Sequence, residues 1–456
     1  MVGTSRCDVW TVRGRPAFSA ASPPLAPGIL KIVRTGPMNY KEALAWLYGL
    51  QRFGIKLGLE NIARLLDELC SGVLVTPRPA VAAANAFTPK VIHVAGTNGK
   101  GSVCAMIDSI CRAQGYRTGL FTSPHLITFR ERIRVNGEMI SENAVAHGLT
   151  IIRDLVANWD PHPTFFEVVT ALGLKHFSNT NAEIVILETG LGGRLDATNA
   201  VQSDVSVITP IDFDHEKWLG KTIPEIAAEK AGIIKPGAPV ISACQRPEAE
   251  QVIRTRAAKC GASLEFVTQP YDESSIALAG SNQKENAALA IAALRAAKIE
   301  IESATIVKGL SRIDWPARFQ QWDQRTIIDG AHNPAAARTL AQTWRELFGD
   351  QRAILVLAVL SDKNLHAICE ALAPISEFVL LPKIRSDRAA DPEELARVLA
   401  NITPPLPSSI TPSIDEALML ARAKPDPILI TGSLHFAGEV LAHLRGQPAA
   451  FEECAQ

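Results

Sequence analysis

Val91 to Val103 reads VIHVAGTNGKGSV: a β-branched run, a glycine-rich turn, then residues able to enter a helix. A Walker A loop is written G-x-x-x-x-G-K-[ST], its backbone N–H groups cradling phosphates and its last hydroxyl meeting Mg²⁺. Set on Lys100, that pattern needs a glycine at 94 and a hydroxyl at 101, where this chain has Val94 and Gly101. An isolated turn of this kind also arises by chance. The setting favours phosphate: a strand, glycines that permit close approach, a helix N-terminus with free N–H groups, and a lysine. Thr97, Asn98, Gly99, Lys100, Gly101 and Ser102 are therefore the candidate nucleotide loop.

Outward from this stretch, short apolar runs alternate with helical patterns. TGLFT (118–122), EIVILE (183–188), VSVITPI (205–211) and APVISA (238–243) read as strands, and 102–114, 166–178 and 222–234 as helices. Continuous apolar strands separated by helices predict a parallel sheet covered on both faces. Ligands bind beyond the carboxyl ends of such strands, where this chain places GTNGKGS, SPHL, ETGLGGR and DFDH. Near Trp315 the pattern restarts with TIIDG (326–330), AILVLAVL (353–360), EFVLLP (377–382) and PILITG (427–432). The fold class is α/β with two domains: an N-terminal P-loop-type parallel-sheet ATPase domain over 38–315 and a smaller C-terminal Rossmann-like α/β domain over 323–445. The linker falls around 311–322, and the cleft between domains is a natural place for ligands. Two helices are expected between Tyr40 and Leu69, and a proline–alanine loop between Thr76 and Pro89.

Composition agrees. At 456 residues the chain exceeds the roughly 250–300 that one core supports. A net charge of −1 gives no electrostatic reason for a nucleic-acid or acidic-membrane partner. No apolar run approaches the roughly 20 residues that span a bilayer. Eight cysteines are scattered without C-x-x-C pairs; Cys104, Cys111, Cys244 and Cys369 fall in core or helix segments, so reduced thiols in a cytoplasmic protein are expected. Residues 1–37 carry Arg6, Arg13, Arg15, Lys31 and Arg34 among many Ser, Ala and Pro. Their composition loosely suits a transit peptide, but a disordered extension before a natural start at Met38 is the simpler expectation.

Single residues stand out against bland alternatives. Glu188 ends a buried strand where a carboxylate can hold Mg²⁺, or it pairs with Arg194. His215 follows another strand end, as structural histidines also do. In TIPEIAAEKAGIIKPG, Ile223, Ile226, Ala227, Lys230 and Ile234 share one helical face, which puts Lys230 on an apolar stripe where a cation needs a partner or a use. Ser123 in TSPHL and Asp329 and His332 in IDGAHNP lie beyond strand ends, or in plain turns.

In order, WLYGLQRFGIKLGL, HVAGTNGKGS, TSPHL, TFFEVVTALGLKHF, ILETGLGGRLDATN, DHEKWLGKTIPEIAAEKAGIIK, NAALA, WPAR, DGAHNP and GSLHFAGE resemble the folylpolyglutamate synthase/dihydrofolate synthase family, within the superfamily of ATP-dependent Mur-type amide ligases. The resemblance covers about Met38 to Glu439. It implies ATP contacts at Thr97 to Ser102, Asn286, Arg318 and Asp329. It implies magnesium ligands at Ser123, Glu188 and His215, with Lys230 carbamylated to hold a second Mg²⁺. Folate contacts match Thr164, Phe165, Phe166, Glu167, Leu195, Asp196 and Ala197. Catalytic roles fall to Lys100, Lys230, His215 and His332. The chain has WPAR where the family usually has WPGR, so Ala317 is tolerated unless that position needs φ > 0. SNQKENA departs ahead of the NA motif, offering Gln283 and Asn286.

The implied reaction is ATP-driven addition of L-glutamate to dihydropteroate or folate through an acyl phosphate, with ATP as co-substrate and Mg²⁺, two ions, as cofactor. A monomer without nucleic-acid or membrane partners is expected. A peptidoglycan Mur ligase, a non-catalytic nucleotide-binding protein and a P-loop kinase are the rivals.

Overall fold

The computed structural model describes residues 36–54, 58–70, 88–448 and 451–452. The expected disordered extension before Met38, apart from Gly36 and Pro37, lies outside the described residues, as does the proline–alanine loop up to residue 87. The chain divides into Met1–Gly36 and Pro37–Gln456, and all the strands and helices named below belong to the second unit.

Among the described residues there are two sheets. The strands, in chain order, are β1 (Lys90–Ala95), β2 (Thr118–Phe121), β3 (Ile133–Val135), β4 (Glu138–Met139), β5 (Ile184–Glu188), β6 (Val205–Ile208), β7 (Val240–Ala243), β8 (Leu264–Val267), β9 (Gln320–Gln321), β10 (Thr326–Ile328), β11 (Ala353–Leu357), β12 (Ser376–Pro382), β13 (Ser408–Thr411) and β14 (Ile428–Thr431). The first sheet runs β4-β3-β2-β5-β1-β6-β7-β8 and the second β13-β12-β11-β14-β10-β9. All nine strands expected from the apolar runs are present. The sheets are parallel except where β3 and β4 at one edge, and β9 at another, pair antiparallel. The strands the sequence did not reveal (β3, β4, β8, β9 and β13) are the short or half-exposed ones, without a continuous apolar run.

The helix Lys100–Gln114 starts from Gly99 at φ 89 and stops at Gly115 at φ 100, both left-handed and suited to glycine. Every residue from Gly101 to Cys111 is buried, because the helix lies between the first sheet and two others, Ser281–Ala296 and Ser303–Leu310. The helix Ile223–Ala231 begins with a capping box between Thr222 and Glu225, worth about 1 kcal/mol. It ends at Gly232, short of the expected 234, so Ile234 is buried from a turn instead of from the helical stripe. Lys230 keeps its place on the inward face. Of the cysteines, Cys104, Cys111 and Cys369 are buried as expected, whereas Cys244 is exposed just beyond β7; the described cysteines are all unbridged.

Candidate active site

β2, β5, β1 and β6 are consecutive in the first sheet, and the polar clusters GTNGKGS, SPHL, ETGLGGR and DFDH are the segments that follow their carboxyl ends. At β1, the turn is shaped by Gly96 (φ 149) and Gly99 (φ 89). A Cβ at Gly96 would collide with Thr209, beyond β6, and one at Gly99 would stand 2.7 Å from Asn286 Oδ1. Asn286, an expected nucleotide contact, therefore abuts the phosphate turn, and its Nδ2 donates to Gln283 Oε1 at 3.0 Å. Thr97 Oγ1 donates to Asp212 O at 2.9 Å, and Ser102 is buried in the first helical turn. Lys100 Nζ lies 3.2 Å from both Gly96 O and Thr97 O.

Lys230 Nζ donates to the same Gly96 carbonyl at 2.8 Å. The GLGGR turn holds its helix in place: Arg194 N donates to Glu229 O at 2.7 Å, and a Cβ at Gly193 would press on the carbonyls of Glu229 and Lys230. Burial foremost, and the neighbouring Lys100 charge, lower the Lys230 pKa to about 7, with Asp214 and Asp196 opposing. Near neutral pH this amine is partly unprotonated and nucleophilic.

A Cβ at Gly101 would stand 3.1 Å from Trp315 Nε1 and 3.6 Å from Glu188 Oε2. A side chain at this position would crowd Trp315 and come into contact with Glu188. Glu188 accepts from Ser123 N at 3.2 Å; burial raises its pKa, while Lys100 and the Ser123 hydrogen bond oppose this. Its alternative partner, Arg194, pairs with Glu229 at 2.8 Å instead. Ser123 Oγ is buried and has no hydrogen-bond partner among the described residues. An orphaned hydroxyl beside a buried carboxylate fits a hard cation completed by phosphate and water oxygens. Among the described residues no group of three or more His, Cys, Asp or Glu side chains is placed to hold a metal, so protein ligands alone do not make a cage.

His215 lies past β6 at φ 51, its side chain 38% exposed. Partial desolvation foremost, with Asp214 opposing and Lys363 reinforcing, lowers its pKa and favours a neutral ring able to ligate or accept a proton. Asp214 was not singled out by sequence, yet it is the hub of this region. Its Oδ1 meets Lys363 Nζ at 2.7 Å and its Oδ2 accepts from Asn333 Nδ2 at 3.1 Å, with His332 Nε2 at 3.5 Å. Burial alone would raise its pKa, but His332, His215 and Lys363 hold it well below the usual carboxylate range. Asn333 caps the helix Pro334–Phe348 and exchanges amide hydrogen bonds with Asn98 at 2.9 and 3.2 Å. Asp214 and Asn98 follow strands of the first sheet, whereas Asn333, His332 and Lys363 follow β10 and β11 of the second, so the strand ends of the two sheets face each other. The acid beside His215 in DFDH was a visible signal; Lys363 had none.

Of the other residues expected to contact nucleotide, Arg318 Nη1 donates to Ala317 O, and Asp329 accepts from Phe319 N (2.7 Å) and Ala331 N (2.8 Å). Burial raises the Asp329 pKa, with Arg318 opposing. Ala317 sits at φ 57, the left-handed conformation that its glycine counterpart adopts freely.

The expected folate positions divide by role. Thr164 and Glu167 form a capping box for the helix Phe165–Asn179, which accounts for both without a ligand. Phe165 is buried and stacks on Tyr48 with centroids 5.7 Å apart. Phe166 is half-buried against Gly190 and Phe121, open enough to meet a ring. Asp196 accepts from Gly190 N (3.1 Å), Leu191 N (2.9 Å) and Thr198 N (3.0 Å), and so shapes the GLGG turn, with Leu195 half-buried and Ala197 in the core beside it. Beneath them the buried His93 Nε2 meets Thr198 Oγ1 (2.8 Å) and Thr189 Oγ1 (3.0 Å), a support that sequence did not reveal.

Two family models match: Mur ligase middle domain over residues 94–259 and Mur ligase, glutamate ligase domain over 317–434. The dihydrofolate synthase/folylpolyglutamate synthase of Bacillus subtilis is 34% identical, the match covering 89% of this chain and 99% of that one. Mycobacterium tuberculosis folylpolyglutamate synthase complexed with ADP and AMPPCP superposes with a TM-score of 0.79 at 31% identity, covering 90% of this chain and 99% of that one. The bifunctional folylpolyglutamate synthase/dihydrofolate synthase from Yersinia pestis, complexed with AMPPNP and Mn ion, gives 0.78 at 30%, with 90% and 99% covered.

Proposed function

This chain belongs to the folylpolyglutamate synthase/dihydrofolate synthase family of Mur ligases, and from that we propose that it is an ATP-dependent ligase adding L-glutamate to dihydropteroate, to folates, or to both. The observation that carries the reading is that Gly96–Ser102, Ser123 and Glu188 lie at the ends of three adjacent strands, β1, β2 and β5, with Lys230 reaching the Gly96 carbonyl from the helix Ile223–Ala231. The 38–315 region would supply the nucleotide and folate sides, and 323–445 the partner that brings glutamate.

A substrate carboxylate attacks the γ-phosphorus of ATP; the bond to the β,γ-bridging oxygen breaks, giving an acyl phosphate and ADP. The unprotonated glutamate amine then attacks the acyl carbon, phosphate leaves, and the amide nitrogen loses a proton. Two anions must meet in the first step. Lys100 and the N-terminus of its helix lower that barrier by holding positive charge against the transferring phosphoryl group. Ser123 and Glu188 would hold a divalent ion, with His215 and a carbamylated Lys230 serving a second; the ions supply further charge neutralisation. Carbamylation would turn the partly neutral Lys230 amine into a carboxylate beside Lys100, exchanging repulsion for attraction. Arg318, Asp329 and Asn286 would meet the adenosine, and Phe166 the pterin. His332, His215 or the Lys230 carbamate would take the amine proton. The Asp214 hub aligns the two halves so that reactants meet within reach.

The test is ADP release with dihydropteroate or with tetrahydrofolate, each with L-glutamate. Glutamate-dependent release with either supports the ligase, and the pair distinguishes its substrates. Nucleotide binding without release under any combination would favour the non-catalytic alternative.

A further inference from the structure

The proposed site uses Ser123 but does not account for what fixes its loop. Ser123–Thr128 leads from β2 into the single turn Phe129–Arg132, and residues far along the chain seat it from two sides. On one side, Gly438 of the helix Leu434–Leu444 lies so close to the Leu126 carbonyl that a Cβ there would overlap it. Ile127 is buried with Phe436, Ala437 and Val440 of that helix.

On the other side lies Phe451–Glu452. Glu452 N donates to Ile127 O at 2.7 Å. The Glu452 carboxylate accepts from Phe129 N (2.5 Å), Thr128 Oγ1 (3.1 Å) and Tyr40 OH (3.1 Å). His125 Nδ1 accepts from Arg132 Nε at 2.9 Å, so its proton is on Nε2, which donates to the Glu452 carbonyl at 3.0 Å. Arg132 is fully buried and lies over the Phe165 ring at 5.6 Å. One residue thus joins the helix Tyr40–Gly49, the Ser123 loop and, through His125 and Arg132, the wall of the expected folate pocket.

We propose that Glu452 is a positioning residue: Phe451–Glu452 is a strap that sets the Ser123–Arg132 loop for the pteridine substrate. This deepens the proposed ligase activity and rests on it. A carboxylate suits the task because it accepts several donors at once, and bonds to a charged acceptor are stronger than neutral ones.

The full chain is compared with Glu452→Ala, Glu452→Gln and Tyr40→Phe. Hydrogen exchange at the Phe129 amide should speed up in Glu452→Ala. KM for whichever pteridine the wild type turns over should rise roughly tenfold, the worth of one charge-assisted hydrogen bond. KM for ATP should rise less than the pteridine KM, through Ser123 at the far end of the loop, and Tm should stay near wild type. Glu452→Gln should recover part of the loss, because its amide oxygen still accepts from Phe129. An unchanged pteridine KM in Glu452→Ala overturns the strap, as does a rise in both KM values that tracks a fall in Tm. A wild type that releases no ADP overturns the ligase reading itself, a result distinct from either.

Discussion

Lys230 shows how one side chain can carry two demands. Its amine is buried and its pKa is lowered to about 7 from 10.5, so the folded state holds its proton less tightly than the unfolded state does. Stability therefore suffers in full below pH 7, recovers between pH 7 and 10.5, and is free of the burden above. Lys230→Met should raise Tm at pH 6, remove that slope in thermal melts and abolish turnover. Lys230→Ala should be nearly inactive and partly rescued by a small carboxylate. Because carbamate forms from the neutral amine, reactivation of decarbamylated enzyme at fixed dissolved CO₂ should be roughly tenfold faster at pH 8 than at pH 6. A rate flat with pH would dismiss the carbamate. Ala317 is the other telling residue. Its φ of 57 costs roughly 1–2 kcal/mol relative to glycine, offset in part by its buried methyl. Ala317→Gly should leave Tm unchanged or up by a degree or two and leave KM for ATP unaltered; a large loss of stability would show that the methyl outweighs the backbone.

At the scale of elements, the turn before the helix Lys100–Gln114 decides what kind of phosphate site this is. Gly101→Ser restores the Walker A hydroxyl in sequence, but its Cβ would stand 3.1 Å from Trp315 Nε1, so the tryptophan must give way. Its KM for ATP should rise severalfold; an improved KM would mean that the space is free. Glu188→Gln should flatten the metal titration of ADP release, and an unchanged curve would remove it from the metal site. The strands, their ends and the loop glycines were legible because continuous apolar runs and turn residues are local signals. The end of the Lys230 helix was misread because Ile233 and Ile234 continue the apolar character after the backbone has turned. Thr164 and Glu167, which the resemblance marks as folate contacts, also form a capping box, a local role that their S/T-x-x-E spacing made legible.

At the scale of the whole molecule, the charged tie between the two sheets was illegible. Asp214 and Lys363 are 149 positions apart, and although Asp214 stands out beside His215, no local pattern pairs it with Lys363. Both are nearly buried, so breaking the pair by Asp214→Asn leaves the ammonium, among the described residues, with only the half-exposed Asp362 at 3.8 Å, at a cost of about 3 kcal/mol. Tm should fall, small-angle scattering should show a larger radius of gyration, and turnover should drop at least tenfold. Adding Lys363→Met should restore much of the Tm but not the turnover. If the single variant melts like wild type, the pair is not what joins the halves.

The strand order also bears on how the chain is made. β1 pairs with β5 and β6, and β14 lies between β10 and β11. The centre of each sheet therefore waits for a strand about a hundred residues further on, roughly 5–20 s at ribosomal speed. Through that interval Val91–Ala95 emerges apolar and unpaired, and Ala353–Leu357 is paired on one side only, by β12; these are the windows in which a nascent chain aggregates or recruits a chaperone. Slowing initiation and lowering temperature should therefore favour soluble yield more than any change to the finished surface.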